Sequence, residues 1–242
     1  MDKKVTPYKD PSTGKKQQVT RMFNTISGNY DGLNRVISFG FDKKWRKKVV
    51  EIVTSAKPET VLDVATGTGD LAIALAKTPV KKVTGIDIAP KMLEIAQQKI
   101  ARYQLSGKVE MITGDSEQLP FADQTFEAVT VAFGVRNFEN LEKGLAEICR
   151  VLKPGGMLVV LETSVPRKTP FKQGYRLYCN TILPFIGQLF SKDRNAYAYL
   201  SQSASVFPYG EAFNNILRKT GFIEVTHRPQ TFGAATIYVA SK

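Results

Sequence analysis

The chain has 242 residues, 43% of them apolar, with a formal net charge of +12. That length suits one α/β domain with a full core rather than two large domains. Its two cysteines, Cys149 and Cys179, exclude a disulfide framework and make a reduced cytoplasmic setting the expectation.

The positive charge favours an anionic partner, such as a phospholipid surface, nucleic acid or an acidic ligand, or belongs simply to a lysine-rich soluble protein. No stretch combines a basic helix with the aromatic interleaving of an RNA-binding module, so nucleic acid is not the expected partner. No Cys/His spacing suggests a metal site.

Residues 1–18, MDKKVTPYKDPSTGKKQQ, are polar, contain no apolar run of a signal peptide, and read as a loose basic arm. The remaining residues, 19–242, read as a single domain. From Val19 to Ala56 the pattern is helical, interrupted near Gly28 and Gly40, and these N-terminal helices (19–57) are expected to fold over a pocket. After Pro58 the rhythm changes. Strand-like runs at 60–64, 82–87, 108–112, 126–132 and 156–162 alternate with helix-like runs at 70–77, 90–102 and 140–151. Such alternation predicts βαβ units and a doubly wound, mostly parallel sheet. Lys153-Pro154-Gly155-Gly156 reads as a helix stop followed by a strand start. Residues 163–208 interrupt the rhythm with a helical lid-like insertion. A helix over Glu211–Thr220 and two final strands in FIEVTHRPQTFGAATIYVAS complete a seven-stranded α/β fold.

The segment VLDVATGTGDLA (61–72) places a glycine turn between strand and helix. Gly67-x-Gly69-x-x-Ala72 satisfies the dinucleotide fingerprint, so the turn suits NAD or another adenosine ligand. Asp87, at the end of the next strand and 20 residues beyond Gly67, is placed to accept from ribose hydroxyls of either. Asp63 and Asp70 discriminate. A pyrophosphate on this turn would meet like charge, at a cost of several kcal/mol where desolvated. A cationic, phosphate-free nucleotide such as S-adenosylmethionine gains there instead. Asp115, just past the third strand, is placed to accept from an adenine amino group, with the Ser116 backbone N–H serving a ring nitrogen.

Together these residues resemble the class I S-adenosylmethionine-dependent methyltransferases. The match goes further. FNTISGNYDGLNRVISFGFDKKWRKKVV (23–50), LPFADQTFEAVTVAFGVRNF (119–138), EICRVLKPGGMLVVLETSVP (147–166) and YAYLSQSASVFP (197–208) are similar to the C-methyltransferases of menaquinone and ubiquinone biosynthesis, the UbiE/MenG family. The resemblance runs from about Arg21 nearly to the end. It implies a Rossmann-like seven-stranded fold, with Thr68, Asp87, Asp115 and Ser116 at the cofactor beside Asp63, Gly67, Gly69 and Asp70. Ala132 stands where the family often has Ser, and Thr163 where it usually has Phe.

The resemblance further implies methyl transfer to a ring carbon of a reduced, prenylated demethylmenaquinone. The reduced ring is required because a quinone is a poor carbon nucleophile, whereas a hydroquinone phenolate pushes electron density onto the ring. Menaquinone is expected over ubiquinone because the chain lacks the longer leader of ubiquinone-type members. Arg136 is the candidate for stabilising the phenolate and Asn137 for orienting the ring, although both also suit a loop-fixing role. Tyr30, with Asp31 and Asn34, forms a second candidate group; His227 is read as structural. Residues 167–194 hold an apolar stretch, Ile182 to Phe190, flanked by Arg167, Lys168, Lys172, Arg176, Lys192 and Arg194. This stretch is too short to span a bilayer, and it reads as a lid that touches an anionic membrane surface at the inner face of the cytoplasmic membrane. Competing readings are a methyltransferase of a soluble aromatic molecule, an NAD-dependent oxidoreductase and a basic nucleic-acid-binding module.

Overall fold

A computed structural model of the protein describes residues 5–8, 10–166, 169–177, 181 and 193–242. Seven strands form one sheet in the order β3-β2-β1-β4-β5-β7-β6. They are β1 (Thr60–Val64), β2 (Lys82–Asp87), β3 (Val109–Thr113), β4 (Phe126–Ala132), β5 (Leu152–Thr163), β6 (Ile223–Gln230) and β7 (Ala235–Ser241). The first five are parallel; β7 enters antiparallel between β5 and β6. The doubly wound sheet expected from the alternating pattern is therefore present. Strand order reverses at β1, which pairs with both β2 and β4. A ligand crevice is expected beyond the carboxyl ends of these strands.

Strands β1 and β4 are buried on both faces, as continuous apolar runs such as Val61, Leu62 and Val64 require. One face is covered by α6 (Leu141–Val151) and by α9 (Glu211–Lys219), whose Phe213 and Leu217 are fully buried. The other face is covered by α3 (Phe41–Ser55) and α4 (Asp70–Ala76). Helix α5 (Pro90–Arg102) begins on Pro90, which has no N–H to leave unpaired, and buries Met92, Leu93, Ala96 and Ile100 at helical spacing. Asn140 caps α6 by accepting from the Lys143 N–H at 3.0 Å.

Two boundaries differ from the sequence reading by more than one residue. Helix α1 spans Lys15–Ile26, so Lys15 to Gln18 belong to its first turn rather than to a loose arm. The cause is Gln18, which is 3% exposed. Its carboxamide accepts from the Tyr8 N–H at 2.9 Å and donates to the carbonyls of Asp10 (2.9 Å) and Thr13 (2.8 Å). Hydrogen bonds, not apolar periodicity, fold this segment back. Strand β5 also begins earlier than expected, at Leu152. Its partner Phe126 faces Leu152, while the next paired residue, Ala128, faces Met157. Lys153 to Gly156 bulge between these registers, with Gly155 at φ +75°.

In the 163–208 region, α7 (Phe171–Leu177) and α8 (Arg194–Val206) are helical. The apolar stretch Ile182–Phe190, its flanking Arg167, Lys168 and Lys192, and Cys179 lie outside the described residues, as do the side chains of Lys172, Arg176 and Arg194. Among the described residues no helix is long and apolar enough to cross a membrane.

Candidate active site

The glycine turn leaves β1 with Ala65 at φ +53°, Gly67 at +58° and Gly69 at +78°. The two glycines are needed for different reasons. A Cβ at Gly69 would come 3.0 Å from Ala96 Cβ and 3.1 Å from Met111 Cε, so this glycine lets α5 pack close. A Cβ at Gly67 would meet no protein atom within 4 Å; here the positive φ and an open face toward the cavity set the requirement. Phe133, immediately after β4, takes φ +59° as well. Neighbouring strands thus end in left-handed residues, Ala65 and Phe133, that both line the cavity.

This cavity lies beyond the β1–β4 strand ends, where the strand order reverses. Gly67, Asp87, Asp115, Ser116, Tyr30 and Asn137 line it, as do Lys16, Val19 and Phe23 of α1. Of the N-terminal helices, α1 thus contributes lining residues, as does Tyr30, and α3 contributes none. Asp87 is held by backbone: Oδ2 accepts from the Gly67 N–H at 2.8 Å and Oδ1 from the Ala89 N–H at 2.9 Å. Each oxygen retains a second lone pair for a ribose hydroxyl. Burial pushes the Asp87 carboxyl up, against the pull of these N–H donors. Asp115 Oδ1 accepts from the Glu117 N–H at 2.9 Å, and its Oδ2 pairs with Lys16 Nζ at 2.5 Å.

Asp63, Thr68, Gly69 and Asp70 do not line the cavity. Asp63 is 1% exposed and accepts from the hydroxyls of Thr66 and Thr130, each at 2.6 Å. Burial pushes its pKa up to about 6, opposed by those two hydroxyls. Asp70 pairs with Lys99 at 2.6 Å, and Lys99 also pairs with Asp31 at 2.5 Å. Burial raises the Asp70 carboxyl, but the hydrogen bond and charge of Lys99 outweigh it and leave its pKa lowered. Thr68 Oγ1 donates to Asp31 at 2.5 Å. Asp31, Thr68, Asp70 and Lys99 latch helix α2 (Tyr30–Ile37) onto the glycine turn. Asp63 shapes the turn through Thr66, from beneath it.

Arg136 and Asn137 sit in a single 3₁₀ turn after β4; Asn137 lines the cavity, whereas Arg136 is not among its lining residues. Arg136 Nη1 donates to the Phe133 carbonyl at 2.9 Å and pairs with Glu162, a fully buried carboxylate at the end of β5. Arg136 Nε and Glu162 Oε2 are buried without a hydrogen-bond partner. Burial acts against the Arg136 charge, but Glu162, Tyr30 and Tyr199 more than offset it and raise its pKa, so the guanidinium stays cationic. Asn137 Oδ1 accepts from the Tyr199 hydroxyl at 3.1 Å. Burial raises the phenol pKa of both Tyr199 and Tyr30, which keeps each protonated and therefore a hydrogen-bond donor rather than a base. His227 lies apart, its Nδ1 2.8 Å from Asn214 Nδ2.

Sequence reasoning overlooked Lys16, Glu162 and Tyr199. A signal for Glu162 exists: it is the lone charge near the end of the buried apolar run LVVLET. Lys16 and Tyr199 carry none, because their partners lie 99 and 62 residues away.

The residues present fit S-adenosylmethionine. The cavity combines an open glycine turn, a backbone-held carboxylate and Asp115 with apolar walls, Val19, Phe23, Met92, Phe133 and Phe138. Four acidic residues line it, Asp87, Asp115, Glu117 and Glu139, against one basic lining residue, Lys16, which pairs with Asp115 and Glu117; the remaining negative balance disfavours a pyrophosphate and suits a cationic ligand.

Comparison with known proteins agrees with this reading of the fold. A crystallised S-adenosylmethionine-dependent methyltransferase of Thermotoga maritima, described as a possible histamine N-methyltransferase, superposes with a TM-score of 0.64 at 18% identity, covering 92% of this chain and 99% of that one. The [4+2]-cyclase SpnF superposes at 0.60 with 17% identity, covering 95% and 97%. A cyclase on the same fold shows why fold alone does not assign chemistry. A protein of Bacteroides fragilis named demethylmenaquinone methyltransferase is 42% identical over 240 residues, covering 99% of this chain and 98% of that one. One of that name from Thermus thermophilus is 45% identical over 222 residues, covering 91% and 100%. A Geobacter sulfurreducens protein named ubiquinone/menaquinone biosynthesis C-methyltransferase UbiE is 42% identical over 243 residues, covering 100% and 94%. The ubiE/COQ5 methyltransferase family model matches residues 12–242, and the chain belongs to that family.

Proposed function

We propose that this protein transfers a methyl group from S-adenosylmethionine to a ring carbon of a reduced, prenylated demethylmenaquinone, giving menaquinol. The observation that carries this reading is the mixed lining of the cavity: carboxylates and an open glycine turn together with apolar walls and Asn137, the neighbour in sequence of the buried, paired Arg136. Full-length identity of 42–45% to proteins named for this activity supports the same substrate class. The Geobacter relative is named for both quinones, which makes a ubiquinone precursor the second reading.

When bound, S-adenosylmethionine would supply an electrophilic methyl group and leave as S-adenosylhomocysteine, the ring carbon losing its hydrogen as a proton. The acceptor carbon must be made electron-rich and held in line with it. Positioning alone contributes about 7–11 kcal/mol in favourable cases. Asn137 lines the cavity and is steadied by Tyr199, so it orients the acceptor ring. Arg136 stays cationic and lowers the energy of a phenolate that forms nearby. Its Nε–H is buried without a protein acceptor and is the donor this reading assigns to the phenolate. Tyr30 donates a hydrogen bond from the α2 side. Asp87, Asp115 and Ser116 hold the adenosine, with Gly67 open to it. Thr68, Gly69, Asp70 and Asp63 keep the turn in shape. Because the acceptor carries a polyprenyl tail, the reading also places the enzyme transiently at the inner face of an anionic cytoplasmic membrane, in part through residues 167–194.

The test is mass spectrometry of products from the protein, S-adenosylmethionine and a prenylated demethylnaphthoquinol kept reduced with dithionite. A methylated quinone, absent when the acceptor is left oxidised, is the expected result. No product while S-adenosylmethionine still binds overturns the acceptor assignment.

A further inference from the structure

Two loop tips expose phenylalanines in a conformation that L-residues rarely adopt. Phe39, between α2 and α3, has φ +50° and is 69% exposed; Phe232, between β6 and β7, has φ +57° and is also 69% exposed. Left-handed phenylalanine is strained, and burial of the ring does not account for it at either position.

The two tips belong to one face. Phe41 stacks on Trp45 at 6.2 Å, and the Trp45 indole N–H donates to Thr231 Oγ1 at 2.9 Å, beside Phe232. Phe232 stacks on Phe171 at 3.9 Å, and Phe171 is itself 41% exposed. Val36 adds a further exposed apolar side chain. Around this band stand exposed Arg35, Lys43, Lys44, Lys47 and Lys48, with Lys44 Nζ 5.4 Å above the Phe41 ring. The acids nearby do not cancel that charge: Asp42 is buried against Arg46, and Glu51 is 4.0 Å from Lys47 alone among these lysines. Inward, the Trp45 ring lies 6.2 Å from Phe133, a wall of the cavity.

We infer that this band, Phe39, Phe41, Phe171 and Phe232 within its ring of lysines, docks the protein on an anionic phospholipid bilayer. The phenyl rings enter the headgroup–acyl boundary while the lysines meet lipid phosphates, the division of labour of an interfacial anchor. The inference rests on the proposed prenylated acceptor: docking here sets the Trp45–Phe133 side of the cavity against the phase that holds the tail. It adds a second contact, built from a folded surface, to the one proposed for residues 167–194.

The test is vesicle flotation of the full chain with phosphatidylglycerol–phosphatidylcholine vesicles and with phosphatidylcholine alone. Wild type is expected to float with the anionic vesicles and to release as salt is raised. The double variant Phe39→Asn, Phe232→Asn keeps residues that tolerate the left-handed conformation and is expected to bind about tenfold or more weakly. The triple variant Lys43→Gln, Lys44→Gln, Lys47→Gln is expected to lose affinity and much of the salt dependence. Equal binding by wild type and the asparagine variant, or by anionic and neutral vesicles, overturns the inference, as does failure of wild type to float. Methyl transfer to a short-chain, water-soluble demethylnaphthoquinol should be unchanged in the asparagine variant. Absence of that turnover in wild type, with vesicle binding intact, would instead count against the proposed reaction.

Discussion

Asp63 and Glu162 are the penultimate residues of β1 and β5, separated only by β4, and both are sealed from water. Their environments differ. Asp63 is held by two threonine hydroxyls, which lower the cost of its charge without cancelling it, and its pKa rises to about 6. Glu162 faces the guanidinium of Arg136. The cofactor end therefore uses its buried carboxylate to shape a turn. The Arg136–Asn137 turn uses its own to keep a cation in place, the cation that the proposed reaction sets near the developing charge. Neutral donors suffice for a scaffold, whereas holding a buried cation requires an opposite charge.

The sharpest way to break this comparison is Glu162→Gln. It leaves Arg136 charged and buried without its counter-charge, and the expected loss is about 3–5 kcal/mol of stability. At roughly 2–4 °C per kcal/mol for a chain of this size, calorimetry should register a large fall in Tm. A fall of a degree or less would show that the pair does not hold the Arg136–Asn137 turn in place.

Arg136→Lys keeps a cation near Glu162 but loses the planar fork. Turnover is expected to fall about 10²–10³-fold. S-adenosylmethionine affinity by titration calorimetry should be unchanged, and unchanged turnover would remove Arg136 from the chemistry.

Asp63 makes a prediction of opposite character. Its folded pKa lies above the usual carboxylate value, so between about pH 4 and pH 6 the folded state binds more protons than the unfolded one. Its contribution to stability therefore falls as pH rises through that window, by up to about 3 kcal/mol, and is constant outside it. The difference between wild type and Asp63→Asn, followed by urea unfolding across the window, isolates this slope from other carboxylates. A flat difference would show that the hydroxyls fully compensate the charge.

Asp87→Asn leaves the N–H of Gly67 or of Ala89 without its carboxylate acceptor. S-adenosylmethionine should bind about 10–100-fold more weakly, in line with about 1–3 kcal/mol for an unsatisfied buried donor. The smallest effect is expected at Lys99→Met, which frees Asp31 and Asp70 from their shared, partly exposed partner. A loss of about 1 kcal/mol or less in thermal unfolding is the expected outcome.

Much of the architecture was legible because its signals are local. Apolar runs alternating with helical periodicity foretold the parallel strands, and Gly67 and Asp87, one strand apart, marked the cofactor crevice. What escaped was carried by single polar side chains. Gln18 turned an apparently loose arm into the start of a helix, although a glutamine in a polar stretch gives no periodic signal. The sequence also grouped Asp63, Asp70, Asp87 and Asp115 as one acidic lining, whereas only Asp87 and Asp115 line the cavity.

By itself, then, the sequence determined the order of strands and helices, the glycine turn and the family resemblance, because each rests on residues close together in the chain. Only the tertiary structure decided which carboxylates face the cavity, that Lys16 meets Asp115, and that Glu162 and Tyr199 flank the Arg136–Asn137 turn. Those pairings join side chains from 26 to 99 residues apart. Their energies depend on burial and direction, which exist only once the helices have closed over the ends of the strands.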